Sequence, residues 1–136
     1  MPAKILIVDD HAIVRKAIQS ILLLHSHSFQ VCEEAKDGKE AVEQVQKLKP
    51  DIVLLDIIMP VMDGIEAAQE IRRISPETKI VFLTMFDTPA VMQAARMWSD
   101  AFVSKSFAGT ELIPTLNRLA GITPDGPIKA DRAATD

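Results

Sequence analysis

The sequence predicts an alternating α/β fold, a single parallel sheet covered by helices on both faces, and three observations predict it. Apolar runs of strand length recur along the chain. Segments with helical periodicity lie between them, so that strand and helix alternate five times. The strand runs are almost continuously apolar, as parallel strands buried on both faces must be.

The first such run is Ile5–Val8. After it, Ala12–Leu24 reads as a helix whose Ile13, Ala17, Ile21 and Leu24 recur at helical steps and make one apolar face. A second strand centres on Val31–Cys32. The turn signal Asp37-Gly38 then precedes a helix marked by Ala41, Val45 and Leu48, which Lys49-Pro50 ends. Ile52–Leu55 is the third strand, followed by a helix on Ile65, Ala68 and Ile71 that closes before Ser75-Pro76. Ile80–Leu83 and the helix carrying Val91, Ala94 and Ala95 make the fourth unit. Ala101–Val103 and a helix on Leu112, Leu116 and Leu119 make the fifth, in which Pro114 must bend the helix or lie near its start. Right-handed crossovers leave few topologies for five such units. The natural one is the flavodoxin-like (βα)5 three-layer sandwich, with parallel strands in the order 2-1-3-4-5. Residues 1–120 thus form one domain, and GITPDGPIKADRAATD at 121–136, which lacks apolar periodicity, reads as a polar tail or the start of a linker.

Composition narrows the function. The chain is 136 residues long, 48% hydrophobic and 25% charged, which suits one globular domain. A formal net charge of −4 argues against direct binding of nucleic acid or an anionic membrane by this segment. No apolar run reaches the roughly 18 residues of a membrane span, and MPAKILIVDD meets acidic residues too early for a signal peptide. Cys32 is the only cysteine, so neither an internal disulfide nor a cysteine metal cluster can form. A cytoplasmic location is expected.

The chemistry should lie past the carboxyl ends of the strands, where an open α/β sheet binds its ligands. The first strand ends in Asp9 and Asp10, the third in Asp56, the fourth in Thr84, and the fifth, after Ser104, in Lys105. Glu33 and Glu34 follow the second strand, which this order places at the sheet edge and outside the cluster. Each residue alone has an ordinary reading: an Asp caps a helix, a Thr fills a strand, a Lys is solvated, and His11 begins a helix. Asp56 resists that reading, because it stands in the greasy run VLLDIIMP, where an unpaired carboxylate is costly. Three converging carboxylates cannot all stay ionised without a cation. Oxygen ligands selects a hard divalent ion, best Mg2+, with Lys105 as a point charge and Thr84 as a hydroxyl for an incoming phosphoryl group.

ILIVDDH at 5–11, VLLDIIMPVMDG at 53–64, VFLT at 81–84 and FVSK at 102–105 resemble the receiver domain of two-component response regulators. The similarity covers residues 4 to 120, and DDHAIVR is most like receivers that precede a LuxR-type helix-turn-helix domain. The resemblance implies that Asp56 accepts a phosphoryl group from the phosphohistidine of a sensor histidine kinase. It implies Mg2+ held by Asp10, Asp56 and the backbone carbonyl of Ile58, with Asp9 acting through water. It makes Lys105 a contact of the phosphoryl group, Thr84 and Phe102 the switch pair, and the face of the fourth helix, fifth strand and fifth helix a surface for homodimerisation. It implies a phosphorylated switch controlling a downstream output such as transcription, and not an enzyme.

Several positions depart from the family pattern. The stretch from Thr84 to Lys105 is one residue short, with the loss assigned to FDTPA. Trp98 stands where Gly is common, Ser106 replaces a frequent Pro and makes a cis peptide there unexpected, Ala108 replaces a capping Asp, and Pro114 intrudes on the last helix. All lie on the output face, which is therefore expected to differ from that of standard dimerising receivers. Apolar Ile58 and Phe86 flank the phosphorylation position, so slow self-hydrolysis is expected. Rival readings have specific weaknesses. A haloacid-dehalogenase-like phosphatase needs an acid two residues after its nucleophile, where this chain has Ile58. A flavin or nucleotide binder needs a Gly- or Ser/Thr-rich loop after the first strand, and DDHAIV is not one. An unphosphorylated scaffold of the same fold would not need the whole set of Asp9, Asp10, Asp56, Thr84 and Lys105.

Overall fold

A computed structural model describes residues 2–85 and 88–122. The strands are β1 (Ala3–Val8), β2 (Phe29–Ala35), β3 (Ile52–Leu55), β4 (Lys79–Thr84) and β5 (Ala101–Ser104). The helices are α1 (Ala12–Leu23), α2 (Gly38–Leu48), α3 (Gly64–Ile74), α4 (Pro89–Trp98) and α5 (Ala108–Ala120), the last preceded by a 3-10 turn at Lys105–Phe107. All strand pairs are parallel, and the sheet order is β2-β1-β3-β4-β5. This is the expected topology.

Strand periodicity distributes side chains between two cores. Leu6, Val8, Val53, Leu55, Ile80 and Phe82 face α2, α3 and α4 through Ala41, Val45, Ala67, Ala68, Ile71 and Ala95. Ile5, Ile7, Ile52, Leu54, Val81 and Leu83 face α1 and α5 through Ile18, Leu22, Leu112 and Leu116. Each fully buried Leu or Ile contributes about 1.5–3 kcal/mol, so the central strands anchor everything mounted on their ends.

The expected apolar face of α1 is corrected. Ile13 and Leu24 are 82% and 81% exposed and Ala17 is exposed, while Ile18 and Leu22 are buried with Val14 and Ile21 packed beside them. At about 100° per residue, positions 13, 17 and 24 lie on the far side of the helix from Arg15. Arg15 and Gln19, beside the buried stripe, bond Glu34 of β2. Leu48 is likewise half exposed at the end of α2, while Ala41 and Val45 are buried as expected.

The β1–β2 register shifts between Ile5 and Leu6, which pair with Val31 and Glu33, leaving Cys32 as the extra residue of a bulge. The bulge reverses the alternation of β2. Ala35 therefore joins the α2 side, and Glu34, opposite Ile7, joins the α1 side.

Helix ends follow their caps. Asp37 and Asp63 accept from the backbone N–H of Glu40 and Glu66, and Glu66 completes a capping box. Lys49 ends α2 with φ 48° ahead of Pro50. Phe107 begins α5 with no side-chain cap, as the missing acid at Ala108 suggested. Pro114 sits inside α5, where its missing N–H removes one helical bond. Trp98 is the last residue of α4 and packs against the core on that side. The described residues contain no cis peptide, in line with Ser106 in place of Pro.

Candidate functional site

The carboxyl ends of β1, β3, β4 and β5 meet at one pocket. Asp56 N–H donates to Val8 O (3.0 Å) and Asp9 N–H to Ala35 O (3.1 Å), so both acids sit on the last rungs of the ladder. Asp9 and Asp56 are 1% and 6% exposed, and Thr84 at the end of β4 is 2% exposed. Lys105 reaches in from the 3-10 turn after β5. Its Nζ lies 2.6 Å from Asp9 Oδ2 and 3.3 Å from Asp56 Oδ2, with the side chain 11% exposed. The ammonium thus binds across two buried carboxylates.

Each acid has a different local environment. Asp9 Oδ1 accepts the His11 backbone N–H at 2.9 Å, and Asp56 Oδ1 accepts the Ile57 N–H at 2.9 Å. Asp10 is more open and lies 3.2 Å from His11 Nδ1. Burial pushes the Asp56 carboxyl pKa up, the Asp9 charge adds to the rise, and Lys105 with the Ile57 N–H opposes it. Such a carboxylate gains from any added cation.

Ligand atoms of Asp9, Asp10 and His11 all lie within 4.8 Å of one another. The three acids against one ammonium leave an excess of negative charge that a divalent ion would balance. The oxygen-rich donor set fits a hard ion. His11, read from sequence as an ordinary helix start, is the N-cap of α1 and joins this group with its ring. Ile58 lies at the pocket mouth with its side chain 57% exposed, so it is not a core residue. Asp10, Asp56, Ile58, Thr84 and Lys105 all line the same cavity of about 580 Å³. Phe102 lies apart, against the α2–α4 core, its ring centroid 6.3 Å from that of Phe82. Phe86 and the proposed shortening in FDTPA fall on or beside 86–87, outside the described residues.

Two features escaped the sequence reading. Gly64 packs where a Cβ would stand 2.0 Å from Asp56 O, and its N–H donates to Ile57 O at 2.6 Å. Val61 has φ 71° at the centre of a γ-turn closed by Met62 N–H to Pro60 O (2.8 Å). Nothing in the residue types VMDG signals either contact.

The fold and pocket define a class: a flavodoxin-like α/β module with a cluster of carboxylates and one lysine at the switch point of its sheet. A family profile described as the response regulator receiver domain matches residues 5–117. The response regulator protein VraR of Staphylococcus saprophyticus is 35% identical over 119 residues, covering 87% of this chain and 56% of that protein. The chemotaxis protein CheY of Thermotoga maritima is 37% identical over 121 residues, covering 88% of this chain and 99% of CheY. The crystal structure of a DNA-binding response regulator of the LuxR family from Staphylococcus aureus superposes with a TM-score of 0.77 at 29% identity, covering 86% of this chain and 98% of that one. The chain belongs to the response regulator receiver domain family, and its relatives support the LuxR-type subclass. It spans little more than half of VraR and nearly all of CheY. Among the described residues no helix is long and apolar enough to cross a membrane.

Proposed function

We propose that this domain is a phosphorylated switch in which Asp56 takes the phosphoryl group. The observation that carries the reading is Lys105 Nζ, held between Asp9 and Asp56 at the mouth of a parallel sheet. Asp56 is fixed by β3 and by the Ile57 N–H, so one carboxylate oxygen is aimed at the pocket with little freedom to turn away. In the transfer, an Asp56 oxygen forms the new O–P bond as the N–P bond of a kinase phosphohistidine breaks, and the freed imidazole keeps the electron pair. Lys105 follows the charge onto the phosphoryl oxygens, and Thr84 turns its hydroxyl toward them. The added negative charge biases the face of α4, β5 and α5 through Thr84 and Phe102.

Asp10, Asp56 and the Ile58 carbonyl would hold Mg2+, with Asp9 acting through water. A bound Mg2+ supplies positive charge to the phosphoryl oxygens. The module is read as a signalling switch in the cytoplasm, not an enzyme, whose partner is a sensor histidine kinase; the face of α4, β5 and α5 is the candidate surface for a second copy, and its departures from the family pattern weaken that contact. This segment is assigned no contact with nucleic acid or membrane. Output through a following LuxR-type DNA-binding domain is proposed for the whole protein, with residues 121–136 as the tail or linker.

Incubation with a small acyl phosphate, with and without Mg2+, tests the reading by intact mass. One Mg2+-dependent, acid-stable and base-labile phosphate is expected, and Asp56→Asn should abolish it. A label that persists in that variant would refute the assignment.

A further inference from the structure

We propose that Arg15 and Glu34 form a strut that positions the acidic pair Asp9-Asp10 for the cation, an inference that rests on the metal reading above. The Asp9 carbonyl lies just past the last ladder bonds, which end at Asp9 N–H and Val8 O. Arg15 Nη1 donates to that carbonyl at 2.6 Å. Its Nε donates to Glu34 Oε1 at 2.7 Å, and Glu34 Oε2 accepts from Gln19 Nε2. The Asp9 carbonyl belongs to the peptide that leads into Asp10, so fixing it fixes where the Asp10 carboxylate stands. The bulge at Cys32 is what allows this, because without it Glu34 would point to the opposite face of the sheet.

The arrangement needs both chemistries. Arg15 presents a planar fork, so one guanidinium can bond a carbonyl and a carboxylate together, which a lysine ammonium cannot do with the same rigidity. An unpaired guanidinium so close to the pocket would weaken cation binding. Glu34 cancels that charge, and the strut orients the acids without neutralising them. Arg15 and Glu34 side chains are 19% and 37% exposed, so the pair is sheltered but not a core element.

Three explanations for Arg15 predict different signs. As a positioning group, its loss weakens Mg2+ binding; as a mere positive charge, its loss tightens it; as a structural brace, its loss lowers stability and leaves affinity unchanged. The test is calorimetric titration of the full chain with MgCl2, alongside urea unfolding, for Arg15→Met, Arg15→Lys and Glu34→Gln. Outer-shell groups typically contribute 10–100-fold to metal affinity. Arg15→Met and Arg15→Lys are therefore expected to raise the Mg2+ Kd about tenfold, and acyl-phosphate labelling should recover at saturating Mg2+. Glu34→Gln, which keeps an acceptor for Arg15 but leaves its charge uncancelled, should weaken Mg2+ binding by about threefold, well short of that loss. An unchanged or tighter Kd in folded Arg15→Met overturns the strut, and if that variant does not fold, Arg15→Lys decides by the same criterion. Absence of Mg2+ binding by the wild-type chain would instead overturn the metal reading and the strut with it.

Discussion

Asp56 shows at the scale of one side chain why this pocket is a poor place for an unassisted carboxylate. Its pKa is raised by burial and by Asp9, against the pull of Lys105 and the Ile57 N–H. The folded protein therefore holds this proton more tightly than the unfolded chain. Stability contributed by Asp56 is highest at acid pH and is lost as pH rises from the ordinary carboxylate range through the raised folded value. In Mg2+-free buffer Asp56→Asn should be more stable than wild type at neutral pH, and the gain should shrink on acidification; urea midpoints across pH read both. Asp56 was legible because an acid in VLLDIIMP demands an explanation that its own neighbours cannot supply. Val61 was not, since a γ-turn with φ 71° leaves no mark in a β-branched residue that favours strands. Val61 is 77% exposed and packs little, so Val61→Gly should relieve backbone strain and stabilise by about 1 kcal/mol. Chemical denaturation would read the change directly.

The five units and their order were legible at the scale of elements, because buried parallel strands must read as apolar runs and the turns carry Asp-Gly and Pro. The rotation of α1 was not. Its sequence offers two overlapping apolar stripes, and the one that packs, Val14, Ile18, Ile21 and Leu22, lies beside Arg15 and Gln19, which meet Glu34 of β2. The consequence is measurable. Ile13→Lys should change stability by no more than about 0.5 kcal/mol, whereas Leu22→Ala should cost about 2–5 kcal/mol. A larger cost for Ile13→Lys than for Leu22→Ala would mean that α1 is turned as periodicity alone suggests. The start of α3 carries a similar constraint. A Cβ on Gly64 would stand 2.0 Å from Asp56 O, so Gly64→Ala must displace the loop or the strand end, at a cost of about 2 kcal/mol or more. Near-neutral stability in that variant would contradict the close approach.

At the scale of the whole molecule, a sheet covered on both faces holds the strand ends rigid while loops bring Asp10, Ile58 and Lys105 to one mouth. The convergence of Asp9, Asp56 and Lys105 followed from strand order alone, because β1, β3 and β5 end on the same side of the sheet. The proposed output face is less directly written, since the departures at Trp98, Ser106, Ala108 and Pro114 fall on α4, the 3-10 turn and α5. Those departures predict that an acyl-phosphate mimic leaves self-association weak, and sedimentation of the domain with and without it would show ordinary phosphorylation-induced dimers if they are wrong. The central claim is that the phosphoryl group is carried by Asp56. Borohydride reduction of the acyl-phosphate-treated protein converts an aspartyl phosphate to homoserine, which peptide mass mapping locates. The account predicts homoserine at position 56 and at no other acid; homoserine at Asp9 or Asp10, or a phosphorylated protein that yields none, would contradict it.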